Sequence, residues 1–333
     1  MTRVVFTCGD INGIGPEISL KVFSKIFEKK NFNQIIFICP KNVFEFYYKL
    51  TKSSFKFQVI TNHSFSLTSL NLIPLPDAKM ELGKPSLVSG EVSFDSINKG
   101  LNIIKQNKAD VLVTAPISKE SFKLARINFP GHTELLAKSE NSKDFMMLFL
   151  SEKIKAGLLT IHSPISKVPE LITKEKIVNT IKILNLTAKN DLGISNPNIA
   201  VLGLNPHAGE NGLIGKEELK IIGPAIGSLK DKIDVQGPFV PDAFWGNKHF
   251  TKFDMILGMY HDQVLIPFKL LNFSKGVNFT AGLKLIRTSP DHGTAFDIAG
   301  KNLADESSLM QAYKYGIAIN NNRKKLLAIK KIN

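Results

Sequence analysis

Asn198-Ile199-Ala200-Val201-Leu202-Gly203-Leu204 runs straight into Asn205-Pro206-His207-Ala208-Gly209-Glu210. The part before the asparagine is almost continuously apolar. A strand with one solvated face alternates apolar and polar side chains, so an unbroken apolar run reads as a strand buried on both faces. Pro206 stops it, because proline cannot donate to a ladder. Gly209, Gly212 and Gly215 then allow turns that other residues resist. The segment predicts a buried strand of an α/β sheet, ending in a polar loop that carries a histidine.

The same arrangement recurs on either side. Gly157–Ile161 is followed at once by His162-Ser163-Pro164, and Phe253–Met259 by Tyr260-His261-Asp262-Gln263. Further buried strands are expected at Val4–Thr7, Gln34–Cys39, Asp110–Thr114 and Phe145–Leu150. Helical patterns lie between them, which is the alternation of an α/β protein. Pro16 opens a helix with Ile18, Val22, Phe23, Ile26 and Phe27 on its apolar face. Val92, Ile97, Leu101 and Ile104 mark a second. Pro169 opens a third, with Leu171, Ile177, Ile181 and Leu184, and Leu309, Ala312, Tyr313 and Ile317 mark the last. Residues 51–88 read as an irregular excursion with short strand-like pieces at Phe55–Ile60 and Leu70–Ile73.

Thus three buried strands each deliver a histidine near the carboxyl end, the edge at which open α/β sheets bind ligands. Any one of the three is an ordinary loop histidine when taken alone. Together they suit a shared metal ion, since neutral imidazole is the commonest ligand and three of them leave positions open for substrate. Spacing leaves both readings open. Asp262 or Glu210 is placed to orient a ligand histidine, or to sit solvated in its loop.

Composition narrows the class. Of 333 residues, 43% are hydrophobic, enough for a substantial core. The two cysteines, Cys8 and Cys39, supply neither a disulfide framework nor a cysteine zinc site, and fit a reducing compartment. No stretch approaches the roughly 18 apolar residues of a membrane helix, and the start lacks the pattern of a signal peptide. A soluble, cytoplasmic protein is expected, without a membrane partner. The net charge of +14 comes from lysines spread along the chain, with no basic stripe interleaved with aromatics, so no nucleic-acid partner is expected.

Other polar clusters carry two readings each. Pro130-Gly131-His132-Thr133-Glu134 precedes an apolar helix, as an anion site or as a plain Thr133 cap. Lys269, Asn278 and Arg287 follow the third histidine; the lysine and arginine suit phosphate, or are surface cations. Gly9, Gly13 and Gly15 are spaced GxxxGxGP rather than GxGxxG, so a dinucleotide fingerprint is poorly supported and a tight turn before Pro16 suffices.

Taken together, these segments resemble one family. They are Gly9-Asp10-Ile11-Asn12-Gly13-Ile14-Gly15-Pro16-Glu17, Thr114-Ala115-Pro116-Ile117-Ser118-Lys119-Glu120, Gly131-His132-Thr133-Glu134, the 203–210 loop, Tyr260-His261-Asp262-Gln263 and Arg287-Thr288-Ser289-Pro290-Asp291-His292-Gly293-Thr294-Ala295. Their combination is similar to that of the 4-hydroxythreonine-4-phosphate dehydrogenases of vitamin B6 synthesis. The resemblance implies a two-domain fold like isocitrate and isopropylmalate dehydrogenases with a cleft between domains, divided as 1–133 with 280–333 around 134–279. It implies NAD- or NADP-dependent oxidation of 4-phosphohydroxy-L-threonine to a β-keto acid that decarboxylates to 3-amino-2-oxopropyl phosphate. By position, His162, His207 and His261 hold one divalent ion (Zn, Co, Mg or Mn). His132, Thr133, Lys269, Asn278 and Arg287 contact substrate, and Lys119 and Asp242 are the candidates for proton transfer. A homodimer with active sites shared between subunits is implied as well. Cys8 and Val264 depart from the family's frequent proline and glycine, which bears on cofactor fit. The alternatives are a dehydrogenase of threonate or erythronate 4-phosphate, and an acyltransferase like phosphate acetyltransferase.

Overall fold

The computed structural model describes residues 1–29, 33–61, 64–129, 135–136, 140, 142, 144–272 and 274–332. They form two compact units, Met1–Asn141 with Lys284–Asn321, and Ser142–Leu283 with Asn322–Asn333. The division expected from the sequence set its boundaries at 133/134 and 279/280 and kept the whole C-terminal segment in the first unit.

Strands are numbered along the chain. The first unit holds β1 (Arg3–Thr7), β2 (Gln34–Pro40), β3 (Phe57–Val59), β4 (Leu70–Leu75), β5 (Val111–Thr114) and β12 (Arg287–Pro290). They lie in the order β3-β4-β2-β1-β5-β12, and each neighbouring pair is parallel. Every residue of β2 and β5 is buried, which is why their sequences do not alternate. The excursion at 51–88 supplies the edge pair β3 and β4, so it is more regular than its Ser-, Asn- and Pro-rich composition suggests.

The helix Gly15–Glu28 has proline in its first turn and buries Ile18, Val22, Phe23 and Ile26. The helix Leu87–Lys105 buries Ile97, Leu101 and Ile103, and packs close where Ser89, Gly90, Ser93, Ser96 and Gly100 make its buried face small. Ser96 Oγ donates to the Ile38 carbonyl at 2.9 Å and accepts from Cys8 N at 3.2 Å, tying this helix to β2 and to the residue that follows β1. The Gly9–Glu17 segment is a buried knot. Asp10 accepts from Ser121 Oγ at 2.6 Å, from Ser89 Oγ at 3.1 Å and from Asn12 N at 3.0 Å. Asn12 accepts from Glu81 N at 2.7 Å, and Glu17 accepts from Ala304 N at 2.9 Å. The glycine spacing therefore serves close packing of loops; a Cβ on Gly13 would lie 2.7 Å from the Thr294 carbonyl.

The second unit holds β6 (Met146–Leu150), β7 (Lys155–Leu158), β8 (Ile199–Leu202), β9 (Val235–Phe239), β10 (Met255–Gly258) and β11 (Val277–Ala281). Their order is β11-β6-β7-β10-β8-β9. β6 runs antiparallel to both β11 and β7, whereas β7, β10, β8 and β9 are mutually parallel. Phe149, Leu158, Leu202, Phe244, Ile256 and Phe268 are among its core residues. The helix expected to open at Pro169 is two helices. Val168–Leu171 is a single turn, and Lys174–Asn190 starts afresh where Thr173 caps Lys176 N at 3.2 Å. The helix Ser307–Ile332 closes the chain; Arg323 grips Asp191 at 2.6 Å. No described helix is long and apolar enough to cross a membrane.

Candidate metal and substrate site

β7, β10 and β8 lie side by side and parallel, so their carboxyl ends share one edge. His162, His261 and His207 follow these three ends. Backbone pairing continues past the strands: Leu159 N donates to the Gly258 carbonyl at 2.9 Å, and Thr160 N to the Met259 carbonyl at 3.1 Å. Two side chains then lock the ends together. Thr160 Oγ1 donates to the Met259 carbonyl at 2.7 Å, tying the His162 loop to that of His261. Gln263, 8% exposed, donates to the Gly203 carbonyl at 2.7 Å and accepts from Met259 N at 2.7 Å, tying the His261 loop to that of His207. Both were missed in the sequence, where an isolated Thr or Gln beside a histidine gives no signal.

The imidazoles of His162 and His261 lie near one another, with ring centres 5.9 Å apart and planes inclined by 40°. His261 opens the helix His261–Asn272, and its Nδ1 lies 2.7 Å from Asp262 Oδ1. That contact occupies Nδ1, the arrangement by which a carboxylate commonly leaves Nε2 of a histidine for a metal ion. Val264 is fully buried and fills the space left by Gly258, so this departure from the family pattern is absorbed within the unit.

His207 is held differently. His207, Ala208, Gly209, Glu210 and Asn211 all have left-handed backbone, with φ of 51°, 49°, 78°, 43° and 54°. For a residue with a Cβ this costs roughly 1–2 kcal/mol each, and such outliers persist only where their surroundings over-determine them. Here the surroundings are a carboxylate. Glu218, 4% exposed, accepts from Leu204 N and Asn205 N at 2.8 Å each, and from Asn205 Nδ2 at 2.9 Å.

The other residues singled out from the sequence belong to several different elements. Lys269 sits half-buried near the end of the His261–Asn272 helix, about 12 Å along the axis from its start at 1.5 Å per residue. Asn278 lies on β11, and its Oδ1 is buried without a hydrogen-bond partner among the described residues. Arg287, 2% exposed on β12, donates from Nε and Nη2 to Thr114 Oγ1 at 2.9 and 2.8 Å. Lys119 and Asp242 are exposed, each in the first turn of a short helix. His132 and Thr133 lie outside the described residues. A cavity of about 460 Å³ adjoins His162, walled by Phe145, Thr173, Lys176 and Asn179. Burial lowers the pKa of the Lys176 ammonium there.

The donor chemistry suits a divalent ion. An imidazole centre lies about 3.2 Å from a metal bound at the usual nitrogen distance, so two ligands of one ion hold their centres no more than roughly 6.4 Å apart. The separation of His162 and His261 falls within that limit. Among the described residues, no group of three or more His, Cys, Asp or Glu stands already assembled in metal-holding geometry.

Residues 31–316 match the family model described as pyridoxal phosphate biosynthetic protein PdxA. The chain belongs to this family. Members of the PdxA family similar to it include the 4-hydroxythreonine-4-phosphate dehydrogenase of a Sulfurihydrogenibium species. That relative is 41% identical over 97% of this chain and 100% of its own. The D-threonate 4-phosphate dehydrogenase of Pectobacterium atrosepticum is 36% identical over 93% of this chain and 97% of its own. A crystal structure of the 4-hydroxythreonine-4-phosphate dehydrogenase of Klebsiella pneumoniae superposes with a TM-score of 0.82. It shares 33% identity, with 96% of this chain and 100% of that chain covered. Isocitrate dehydrogenase of Methylococcus capsulatus, 12% identical, matches with a TM-score of 0.51 over 98% of this chain and 89% of that one, and shows the fold alone. The PdxA relatives are dehydrogenases, and this chain is an enzyme of that class rather than an acyltransferase.

Proposed function

We propose that this enzyme is cytoplasmic and oxidises 4-phosphohydroxy-L-threonine with NAD or NADP, in vitamin B6 synthesis, using one divalent ion held by His162, His207 and His261. The observation that carries the reading is the shared edge of β7, β10 and β8, with a histidine after each strand and two of the rings 5.9 Å apart. When bound, the ion would supply Lewis acidity at the reacting hydroxyl and the nicotinamide would supply the hydride acceptor.

The chain's own part is binding and orientation. His162, His207 and His261 offer imidazole nitrogens, and the contact of Asp262 with His261 Nδ1 leaves Nε2 as the nitrogen for the ion. Asn278 Oδ1 is a buried acceptor with no hydrogen-bond partner among the described residues, which suits a substrate N–H or O–H. Arg287 and Lys269, with His132 and Thr133, are assigned to the anionic groups of substrate, the arginine as a planar fork and the lysine as a point charge. Lys119 and Asp242 are assigned to proton transfer. The reaction yields a β-keto acid, whose decarboxylation gives 3-amino-2-oxopropyl phosphate. We further propose a homodimer with active sites shared between subunits. That proposal rests on the resemblance to the family.

The Pectobacterium relative favours a second reading, a four-carbon sugar-acid phosphate such as threonate or erythronate 4-phosphate as substrate. A reduction assay with metal-replete enzyme across the three phosphates, with NAD and with NADP, separates them. The preferred reading expects 4-phosphohydroxy-L-threonine to give the largest kcat/KM, with carbon dioxide and reduced cofactor in equal amounts. Preference for threonate phosphate would shift the assignment, and turnover without reduced cofactor would end it.

A further inference from the structure

His207 stands on a turn that the backbone resists forming. It is the first of the consecutive left-handed residues 207–211, four of which carry a Cβ. Nothing on the His207 side chain itself accounts for the turn, and the residue is exposed. What accounts for it lies beneath. The Glu218 carboxylate spends one oxygen on Leu204 N and Asn205 N and the other on Asn205 Nδ2. Glu217 Oε2 accepts a second hydrogen from Asn205 Nδ2 at 2.8 Å. The glycines complete the fit. A Cβ on Gly203 would lie 3.1 Å from Glu218 Oε1, and one on Gly209 would lie 2.7 Å from Oε2. The 203–215 loop is thus wrapped on a buried carboxylate, and the residues gripped, Leu204 and Asn205, come three and two positions before His207.

We propose that Glu218 is a positioning residue for metal binding: it holds the left-handed turn that presents the His207 imidazole to the ion. This rests on the reading of His207 as a ligand. A carboxylate is the side chain that can accept from three N–H groups at once without offering a donor of its own. A glutamine in its place keeps an acceptor for the two backbone N–H groups but sets an amide N–H against Asn205 Nδ2. An alanine leaves all three donors without it.

The test uses the full-length protein, stripped by chelator and titrated with Co²⁺ against a chromophoric competitor. The proteins compared are the unaltered chain, Glu218→Ala, Glu218→Gln, His207→Ala and the double variant His207→Ala with Glu218→Ala. Loss of a residue that orients a ligand weakens metal binding by about tenfold to a hundredfold. Glu218→Ala should fall in that range and Glu218→Gln should fall less. In the His207→Ala background, adding Glu218→Ala should cost nothing further, since the residue acts through that imidazole. A general structural role would instead cost the same factor in both backgrounds, and that result overturns the proposal, as does native affinity in Glu218→Ala. If the alanine variant does not fold, the glutamine variant carries the same comparison, alone and with His207→Ala. Native affinity in His207→Ala itself would overturn the ligand assignment, and a failure confined to the Glu218 variants would leave that assignment standing.

Discussion

Arg287 combines burial with charge, and so its truncation separates binding from assembly. A charge-assisted hydrogen bond is worth on the order of 1.5–3 kcal/mol, so Arg287→Ala should weaken binding of the phosphorylated substrate by roughly tenfold to more than a hundredfold. Metal content should be unchanged, because Arg287 lies on β12 and the three histidines follow β7, β8 and β10. Calorimetric titration with substrate decides it, and unaltered affinity would remove Arg287 from the substrate contacts. Asp10 gives a pH signature. It is fully buried, and burial raises its pKa above the usual carboxylate value despite the bonds from Ser121, Asn12 and Ser89. A raised folded-state pKa contributes stability that is fully present below the unfolded pKa and lost as pH rises through the folded one. Asp10→Asn lacks that loss, so its stability relative to the parent should improve from acid pH toward neutral. Urea unfolding at several pH values checks the trend, and a difference independent of pH would refute it. These residues also mark where sequence reading stops. His162, His207 and His261 were legible because each follows an apolar run. Glu218 and Gln263 were not, because their roles are hydrogen bonds to backbone 4 to 60 positions away, which no local pattern marks.

At the scale of elements, close packing depends on glycines with little tolerance. A Cβ on Gly90 would overlap the Ser121 carbonyl, so Gly90→Ala must push the helix Leu87–Lys105 away from the helix Lys119–Leu124. A destabilisation of about 1–3 kcal/mol is expected. Gly227, with nothing within 4 Å of its ideal Cβ, is the control. Gly227→Ala should be neutral or stabilising by about 0.4–1 kcal/mol. Denaturant midpoints compare the two, and equal effects would contradict the packing account. The same logic explains what was readable. β1, β2, β5, β6, β7, β8 and β10 were foreseen within a few residues because burial on both faces leaves continuous apolar runs. β9 was not, being largely exposed and interrupted by Gly237-Pro238. β11 and β12 were hidden by Asn278, Thr280 and by Arg287-Thr288-Ser289, polar residues carried into buried strands. The helix at Pro169 was run together with the next because apolar spacing continues across the break, whereas Thr173 restarts the hydrogen bonding.

At the scale of the molecule, topology does what local sequence cannot. The strand order β7-β10-β8 sets His261, which follows the central strand, beside His162, far from it in the chain. If active sites are shared in a homodimer, a His261→Ala variant and a Lys269→Ala variant, each inactive, should recover part of their activity when unfolded and refolded together. A fully active monomer by sedimentation would exclude the shared site. The central claim is the three-histidine metal centre, and the most direct measurement is metal content after exhaustive dialysis, with turnover read on the same samples. It should be made on the parent and on His162→Ala, His207→Ala and His261→Ala. The parent should retain one divalent ion per site, and each variant should lose both the ion and the activity. Full metal and full turnover in all three variants would contradict the account.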